Sequence, residues 1–186
     1  MTDIILKAEH LKKVFISGKK SMTAVDDVSF GLERGECLGI VGESGSGKTT
    51  VATAVKSRLE AAGRTVLILD GDDVRNRLHI QLGFSVADII ENNRLIADLC
   101  LEASGGYDII LVPIISPYQS SRAHARSLLG DRFYEIFFAA DLDTVMRRDV
   151  KGLYKLAREN KLNNLIGFSP SNIYEPPDSP DLTIDS

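Results

Sequence analysis

Nine consecutive residues constrain this chain more than any others: Gly42, Glu43, Ser44, Gly45, Ser46, Gly47, Lys48, Thr49 and Thr50. They follow an apolar run, Cys37-Leu38-Gly39-Ile40-Val41, and lead into a segment of helix-permitting residues. Strand, glycine-rich turn and helix N-terminus are what a phosphate-binding loop requires. The glycines let successive backbone N–H groups curl around an anion, and the helix adds the positive end of its dipole. Lys48 is expected to reach the terminal phosphates and the Thr49 hydroxyl to ligate Mg²⁺. The spacing predicts a cradle for a nucleoside triphosphate, which fixes an α/β architecture around a parallel strand.

At 186 residues the chain is expected to form a single globular domain with a substantial core. A net charge of −4 argues against general nucleic-acid binding. Only two cysteines occur, Cys37 and Cys100, each inside an apolar run. They read as reduced core residues, and the absence of a signal-peptide pattern or a membrane-length apolar run points to a cytoplasmic protein with no membrane insertion. His10, His79 and His124 show no ligand spacing, so no zinc site is expected.

Residues 1–35 read as short β-segments. Val51 to Ala62 reads as a helix closed by Gly63, and Thr65–Leu69 as a buried parallel strand that delivers Asp70-Gly71-Asp72-Asp73 at its carboxyl end. Ligands of open α/β sheets bind at that end, and carboxylates there suit Mg²⁺ coordination and proton abstraction. Ser85 is placed to cap a helix from Val86 to Ala103, with Val86, Ile90, Ile96, Leu99, Cys100 and Ala103 as its apolar positions. A second buried strand, Asp108–Ile115, ends at Ser116-Pro117-Tyr118. A helix bearing Arg122, His124 and Arg126 follows, then a strand at Phe133–Phe138 and a short helix at Asp141–Asp149. The basic run Arg147 to Lys161 is either a solvated face or a lid over phosphates. The proline-rich tail is expected to run extended, with a last strand at Leu182-Thr183-Ile184.

Two family resemblances divide the chain. Leu11-Lys12-Lys13-Val14-Phe15, Ala24 to Phe30 and Gly35 to Lys48 resemble the start of an ABC-transporter ATPase of the oligopeptide-importer type. That resemblance implies a stacking role for Phe15 on adenine; its residue type fits a packed strand position equally well. It ends at the phosphate loop, because no Leu-Ser-Gly-Gly-Gln signature follows. From about residue 42 to 186 the chain resembles adenylylsulfate (APS) kinase. The resemblance rests on Asp70-Gly71-Asp72-Asp73-Val74-Arg75, Leu82-Gly83-Phe84-Ser85, Asp88 with Glu91-Asn92 and Arg94, Ile115-Ser116-Pro117-Tyr118, Arg148-Asp149-Val150-Lys151-Gly152-Leu153-Tyr154 and Tyr174-Glu175-Pro176-Pro177. Residues 1–35 are thus an ABC-ATPase-like extension and 36–186 an APS-kinase-like body.

The second resemblance implies a P-loop NTPase three-layer sandwich with a mainly parallel sheet, ATP and Mg²⁺ as cofactors, and a homodimer. It implies transfer of the ATP γ-phosphate to the 3′-hydroxyl of adenylyl sulfate. Asp72 would take the proton, and Thr49, Asp70 and Asp72 would hold the metal. Asp70, Arg75, Asn92, Ile115 and Ser116 would bind the acceptor and Phe84 would stack on its adenine. Ser116 matches a proposed phosphoserine position, although direct in-line transfer is favoured. Lys151 would contact both nucleotides from a lid, and Arg148 would offset phosphate charge. Several stretches depart from the family pattern: Asn93-Arg94-Leu95 replaces the usual Ile-Arg-Arg, and the stretch from Phe168 to Tyr174 is longer than usual. Ile89 stands where an arginine usually follows the aspartate, and Leu165-Ile166-Gly167-Phe168 replaces Phe-Thr-Gly-Ile. These departures keep other readings open: a kinase for another hydroxylated or nucleotide-linked compound, a transport-associated ATPase module, or a nucleotide binder with little catalysis.

Overall fold

The structure, a computed structural model, describes residues 4–17, 20–149, 152–170 and 172–185. Two strands, β1 (Ile4–Ser17) and β2 (Lys20–Glu33), form an antiparallel sheet of their own. The short segments expected there are instead 14-residue strands, bent by register shifts between Ala8 and Leu11 and between Lys13 and Val14. Polar interruptions that suggested breaks are absorbed as bulges. The side chain of Phe15 lies outside the described residues, so its stacking expectation is not addressed.

The remaining chain builds a five-stranded parallel sheet in the order β4 (Val66–Ile68), β5 (Ile109–Pro113), β3 (Glu36–Gly42), β6 (Phe133–Ala139), β7 (Leu182–Asp185). Helices α1 (Lys48–Ala61), α2 (Gly71–Arg77), α3 (Val86–Ala103), α4 (Gln119–Leu129), α5 (Leu142–Arg148) and α6 (Leu153–Arg158) complete it. Strand alternation sorts the core into two layers. Leu38 and Ile40 of β3 with Ile109 and Leu111 of β5 meet Ala52 and Leu59 of α1, while Leu32 at the end of β2 joins the same layer. Cys37 of β3 with Ile110 and Val112 of β5 face Ile96 and Cys100 of α3 and Leu129 of α4. The result is the expected three-layer sandwich. Both cysteines are buried and reduced. Contact with Cys100 and burial together push the Cys37 thiol pKa up.

Two expectations shift. The strand after Gly63 spans only Val66–Ile68, at the sheet's edge and only half-buried over Leu67 and Ile68, so it is not the fully buried strand its apolar run suggests. Helix α3 begins at its capping box, Ser85 with Asp88, as its sequence indicates. Its buried face, however, carries Ile89, Asn92, Asn93, Ile96, Ala97 and Cys100, while Val86 and Ile90 are exposed. The polar pair Asn92 and Asn93 turns inward because each finds a buried hydrogen-bond partner, which offsets its desolvation. Among the described residues no helix is long and apolar enough to cross a membrane.

Candidate active site

The site forms where β3, β4 and β5 end, the edge at which open α/β sheets bind ligands. Gly42 closes β3 with φ of 146°, and a Cβ there would sit 2.7 Å from the Phe138 carbonyl. Only glycine lets the loop leave the sheet at that angle. The N-terminus of α1 has no side-chain cap and no acid in its first turn, unlike α2, α3 and α5, which Asp70, Ser85 and Asp141 cap. Its first N–H groups therefore suit an external anion. Lys48 is buried, and its Nζ donates to the carbonyls of Gly42 at 2.7 Å and Glu43 at 2.6 Å and to Ser46 Oγ at 3.2 Å.

Asp70, at the end of β4, joins the loop to α2. One carboxylate oxygen accepts the Thr49 hydroxyl at 3.0 Å; the other accepts the N–H groups of Asp72 at 3.0 Å and Asp73 at 3.5 Å. The N-cap bonds orient α2, so Asp72 and Arg75 stand on the short helix beside the phosphate loop. The half-buried Arg75 guanidinium stacks 4.7 Å over the Phe84 ring and donates to the carbonyls of Leu82 and Gly83. Burial pulls its pKa down, against the opposing charges of Asp72 and Asp88. The guanidinium thereby fixes an exposed aromatic face, a platform for a planar ligand.

Asn92 lies deeper. It is buried, and its Oδ1 lies 2.9 Å from His79 Nδ1, tying α3 to the loop after α2. Ser116 is also buried, with φ of 43°; its hydroxyl accepts from Asn93 Nδ2 at 3.3 Å, and its carbonyl accepts from Arg122 Nη1 at 2.6 Å. Beneath Ser116 a cavity of about 30 Å³, lined in part by Asn93, Ser121, Arg122 and Cys100, has room for a water rather than a nucleotide. Ile115 packs with Tyr118 and Phe137 against the buried cluster of Ile89, Ile166 and Tyr174.

Above the loop, the Tyr154 hydroxyl of α6 reaches Glu43 Oε2 at 3.3 Å and the Ser44 carbonyl at 3.2 Å. Burial, then the Glu43 charge, pushes the Tyr154 pKa up; burial likewise raises Glu43 against the pull of Tyr154 and Lys48. Arg148 is exposed at the end of α5, and Lys151 lies outside the described residues. A cleft of about 380 Å³ lined by Asp143, Met146, Arg147 and Arg158 opens between α5 and α6, and Val145 of α5 backs Gly45 of the loop.

The structure thus links Thr49 of α1 to Asp70, and Arg75 of α2 to Phe84, with Lys48 buried in the loop, Asp72 on α2, and Asn92 and Ser116 buried. Sequence reasoning assigned no site role to His79, Asn93 or Asn172, and placed Arg122 only on its helix, although all four are buried polar residues. Only Asn93 carried a signal, an amide on the inward stripe of an amphipathic helix. Thr49 and the carboxylates are hard oxygen donors, of the kind that hold Mg²⁺ together with substrate phosphates; among the described residues no cluster of three His, Cys, Asp or Glu side chains suits a transition metal.

Fold and site together define a P-loop NTPase domain: the mononucleotide-type parallel sheet, the glycine loop after its central strand β3, and an acid-bearing helix after the edge strand β4. More narrowly, the adenylylsulphate kinase family model matches residues 34–185, and the chain belongs to that family. It is 38% identical over 167 residues to the bifunctional enzyme NodQ of Azospirillum brasilense, covering 89% of this chain but 27% of that protein. The chain therefore spans only about a quarter of the length of the NodQ relatives it matches. It is 40% identical to an adenylyl-sulfate kinase of Prochlorococcus marinus, covering 88% of this chain and 82% of that one. Among solved structures, the Mycobacterium tuberculosis APS kinase CysC in complex with AMPPNP and APS superposes with a TM-score of 0.74 and 39% identity, over 82% of this chain and 88% of that one.

Proposed function

We propose that this chain transfers the γ-phosphate of ATP to the 3′-hydroxyl of adenylyl sulfate, giving 3′-phosphoadenylyl sulfate and ADP. One observation carries the reading: α2 presents Asp72 beside the Thr49–Asp70 pair and Arg75 beneath the Phe84 ring, so phosphate-side and acceptor-side groups share a single short helix. The loop N–H groups and Lys48 hold the β- and γ-phosphates. Thr49, Asp70 and Asp72 would hold Mg²⁺, which when bound would neutralise phosphate charge. Phe84 and Arg75 seat the acceptor's adenine, Asp70 and Asn92 order the groups around it, and Ile115 and Ser116 form its floor. As the acceptor oxygen bonds to the γ-phosphorus, its proton passes to the Asp72 carboxylate and the bond to the ADP oxygen breaks. Transfer is direct, because the Ser116 hydroxyl is buried and bonded to Asn93. Arg148 and Lys151 close over the phosphates from the segment joining α5 to α6.

A second reading, another hydroxylated or nucleotide-linked acceptor, is favoured by the apolar cluster at Ile89. Ile89 is 2% exposed and packs with Ile166 and Tyr174. Leu165, in the position of the family's usual phenylalanine, is buried against Val145 and Tyr154. A coupled ADP-release assay with adenylyl sulfate and a panel of hydroxylated nucleotides and sugars separates the two. Turnover that depends on adenylyl sulfate supports the first reading, and turnover only with another acceptor replaces it.

Residues 1–35 serve as an extension of the kinase body, supported by their separate sheet and by the family match starting at residue 34. The protein acts in the cytoplasm as a homodimer, for which the exposed apolar side chains Leu78, Ile80 and Ile173 offer contact area; sedimentation at micromolar concentration reads the state directly.

A further inference from the structure

Asn172 is 2% exposed, and its side-chain amide makes three hydrogen bonds to three separate segments. Its Nδ2 donates to the Phe84 carbonyl at 3.3 Å and to the Asn164 carbonyl at 3.1 Å. Its Oδ1 accepts the Tyr118 hydroxyl at 3.0 Å, from the turn that follows Ser116. The backbone of Asn172 adds a fourth tie, its carbonyl accepting the Gly167 N–H at 2.8 Å. Gly167 in turn stands against the phosphate loop: with φ of 81°, a Cβ there would lie 2.7 Å from Glu43 Oε2.

One buried amide therefore joins the loop that carries the Phe84 ring to the turn at Tyr118 and to a segment pressed onto the phosphate loop. Phe84 itself is 54% exposed, so its ring gains little order from packing. Its carbonyl is held from behind by Asn172, and Arg75 holds its ring and the preceding carbonyls from the other side. An amide is suited to this task because it donates two bonds and accepts at the opposite end; a carboxylate cannot donate to the two carbonyls, and an aliphatic side chain would leave them dry and unpaired.

We propose that Asn172 is a positioning residue for the acceptor: it sets the Phe84 loop at the height at which the ring receives the acceptor's planar group, while leaving the nucleotide-triphosphate side unchanged. The proposal rests on the acceptor-side role given to Phe84 and Arg75 above. It predicts that loss of the amide acts on acceptor binding far more than on ATP binding or on the chemical step.

The test uses the full chain with Asn172→Ala, Asn172→Asp and Tyr118→Phe. With adenylyl sulfate and ATP, Asn172→Ala and Asn172→Asp are expected to raise the acceptor KM about tenfold or more, with the ATP KM within about twofold and kcat within about threefold. Tyr118→Phe leaves both N–H bonds of Asn172 in place and is expected to shift the acceptor KM in the same direction by less. If both Asn172 variants fail to fold, Tyr118→Phe alone decides, and an unchanged acceptor KM in it overturns the proposal. Equal rises in both KM values, or a fall confined to kcat, also overturn it. Hydrogen exchange provides a readout independent of any acceptor. Amides of residues 79–85 are expected to exchange faster in the Asn172 variants, with α1 and β3 unchanged; equal exchange there refutes the clamp. A parent protein inactive with adenylyl sulfate sinks the acceptor assignment, and the exchange result then judges the clamp separately.

Discussion

Replacing Arg122 by methionine is the most informative single perturbation of this fold. Arg122 is 3% exposed and donates to the carbonyls of Ser116 at 2.6 Å and Glu175 at 2.7 Å and to Gln119 Oε1 at 2.6 Å. Its Nε lies 3.0 Å from Glu135 Oε1, but off the N–H axis, so this contact is an ion pair rather than a directed hydrogen bond. One side chain thus holds the turn at Ser116, the C-terminal segment and the central part of β6. Methionine keeps most of the volume but leaves Glu135, among the described residues, with the more distant Arg126, at 3.7 Å. Breaking a buried pair at one end costs about 3–5 kcal/mol. At about 2–4 °C per kcal/mol for a chain of this size, Tm should fall by about 6–20 °C.

The pH dependence has a definite sign. Burial raises the Glu135 pKa, with Arg122 and then Arg126 pulling it back down. Without Arg122 the folded-state pKa rises further above the unfolded value. A carboxyl with a raised folded-state pKa contributes its stability below the unfolded pKa and loses it as pH rises through the folded one. The defect of Arg122→Met should therefore be largest at neutral pH and shrink as the solution is acidified through the Glu135 transition. Urea unfolding at a series of pH values measures it. The double variant Arg122→Met/Glu135→Met removes the stranded charge and should recover at least about 2 kcal/mol of the loss at pH 7. A single-variant loss below about 1 kcal/mol, or a double variant no more stable than the single, would refute the assignment of Arg122 and Glu135 as a mutually dependent buried pair.

Four other variants address the chemistry. Lys48→Ala should lower kcat by at least about 100-fold, and Asp72→Asn should reduce turnover far more than ATP affinity measured by calorimetry; near-normal rates in both variants would contradict the phosphate and base roles. Ser116→Ala should keep transfer within about tenfold of the parent and yield no phosphoprotein on incubation with labelled ATP; complete loss together with a trapped phosphoserine in the parent would establish a two-step route. Ile89→Arg should lower Tm by about 10 °C, because a guanidinium would enter a packed apolar cluster. If it also tightens adenylyl sulfate binding in calorimetry, position 89 borders the acceptor; an unchanged Tm would show that the new side chain escapes to solvent.

What could be read from the sequence was local or periodic. The phosphate loop follows from spacing over nine residues, and α3 from a capping serine, Ser85, ahead of a helically spaced apolar run. The continuous apolar runs of β3 and β5 likewise mark them as buried strands. What could not be read depended on meetings between distant segments. Nothing near Asn172 announces that its amide will satisfy Phe84 and Tyr118 at separations of 88 and 54 residues. Arg122 and Glu135 look like solvated charges on their own elements until α4 packs on β6. Apolar spacing alone points to Val86 and Ile90 as the inward face of α3, whereas buried partners make Asn92 and Asn93 the interior pair. The site was legible where chemistry is carried by backbone and motif. It was hidden where one side chain supports another.

The two cysteines offer a built-in observer of this site. Cys37 lies on the strand that ends in the phosphate loop and Cys100 on the helix that carries Asn92 and Asn93. With both thiols sealed in one core layer and the Cys37 pKa pushed up, a thiol reagent can react only when β3 and α3 part. The rate of modification by an aromatic disulfide then reports the opening free energy of the sandwich beneath the phosphate loop, without any engineered label. A nucleotide at 100 times its Kd should slow that labelling about 100-fold where opening requires its release. The chain can thus register its own ligand through two atoms that never touch it.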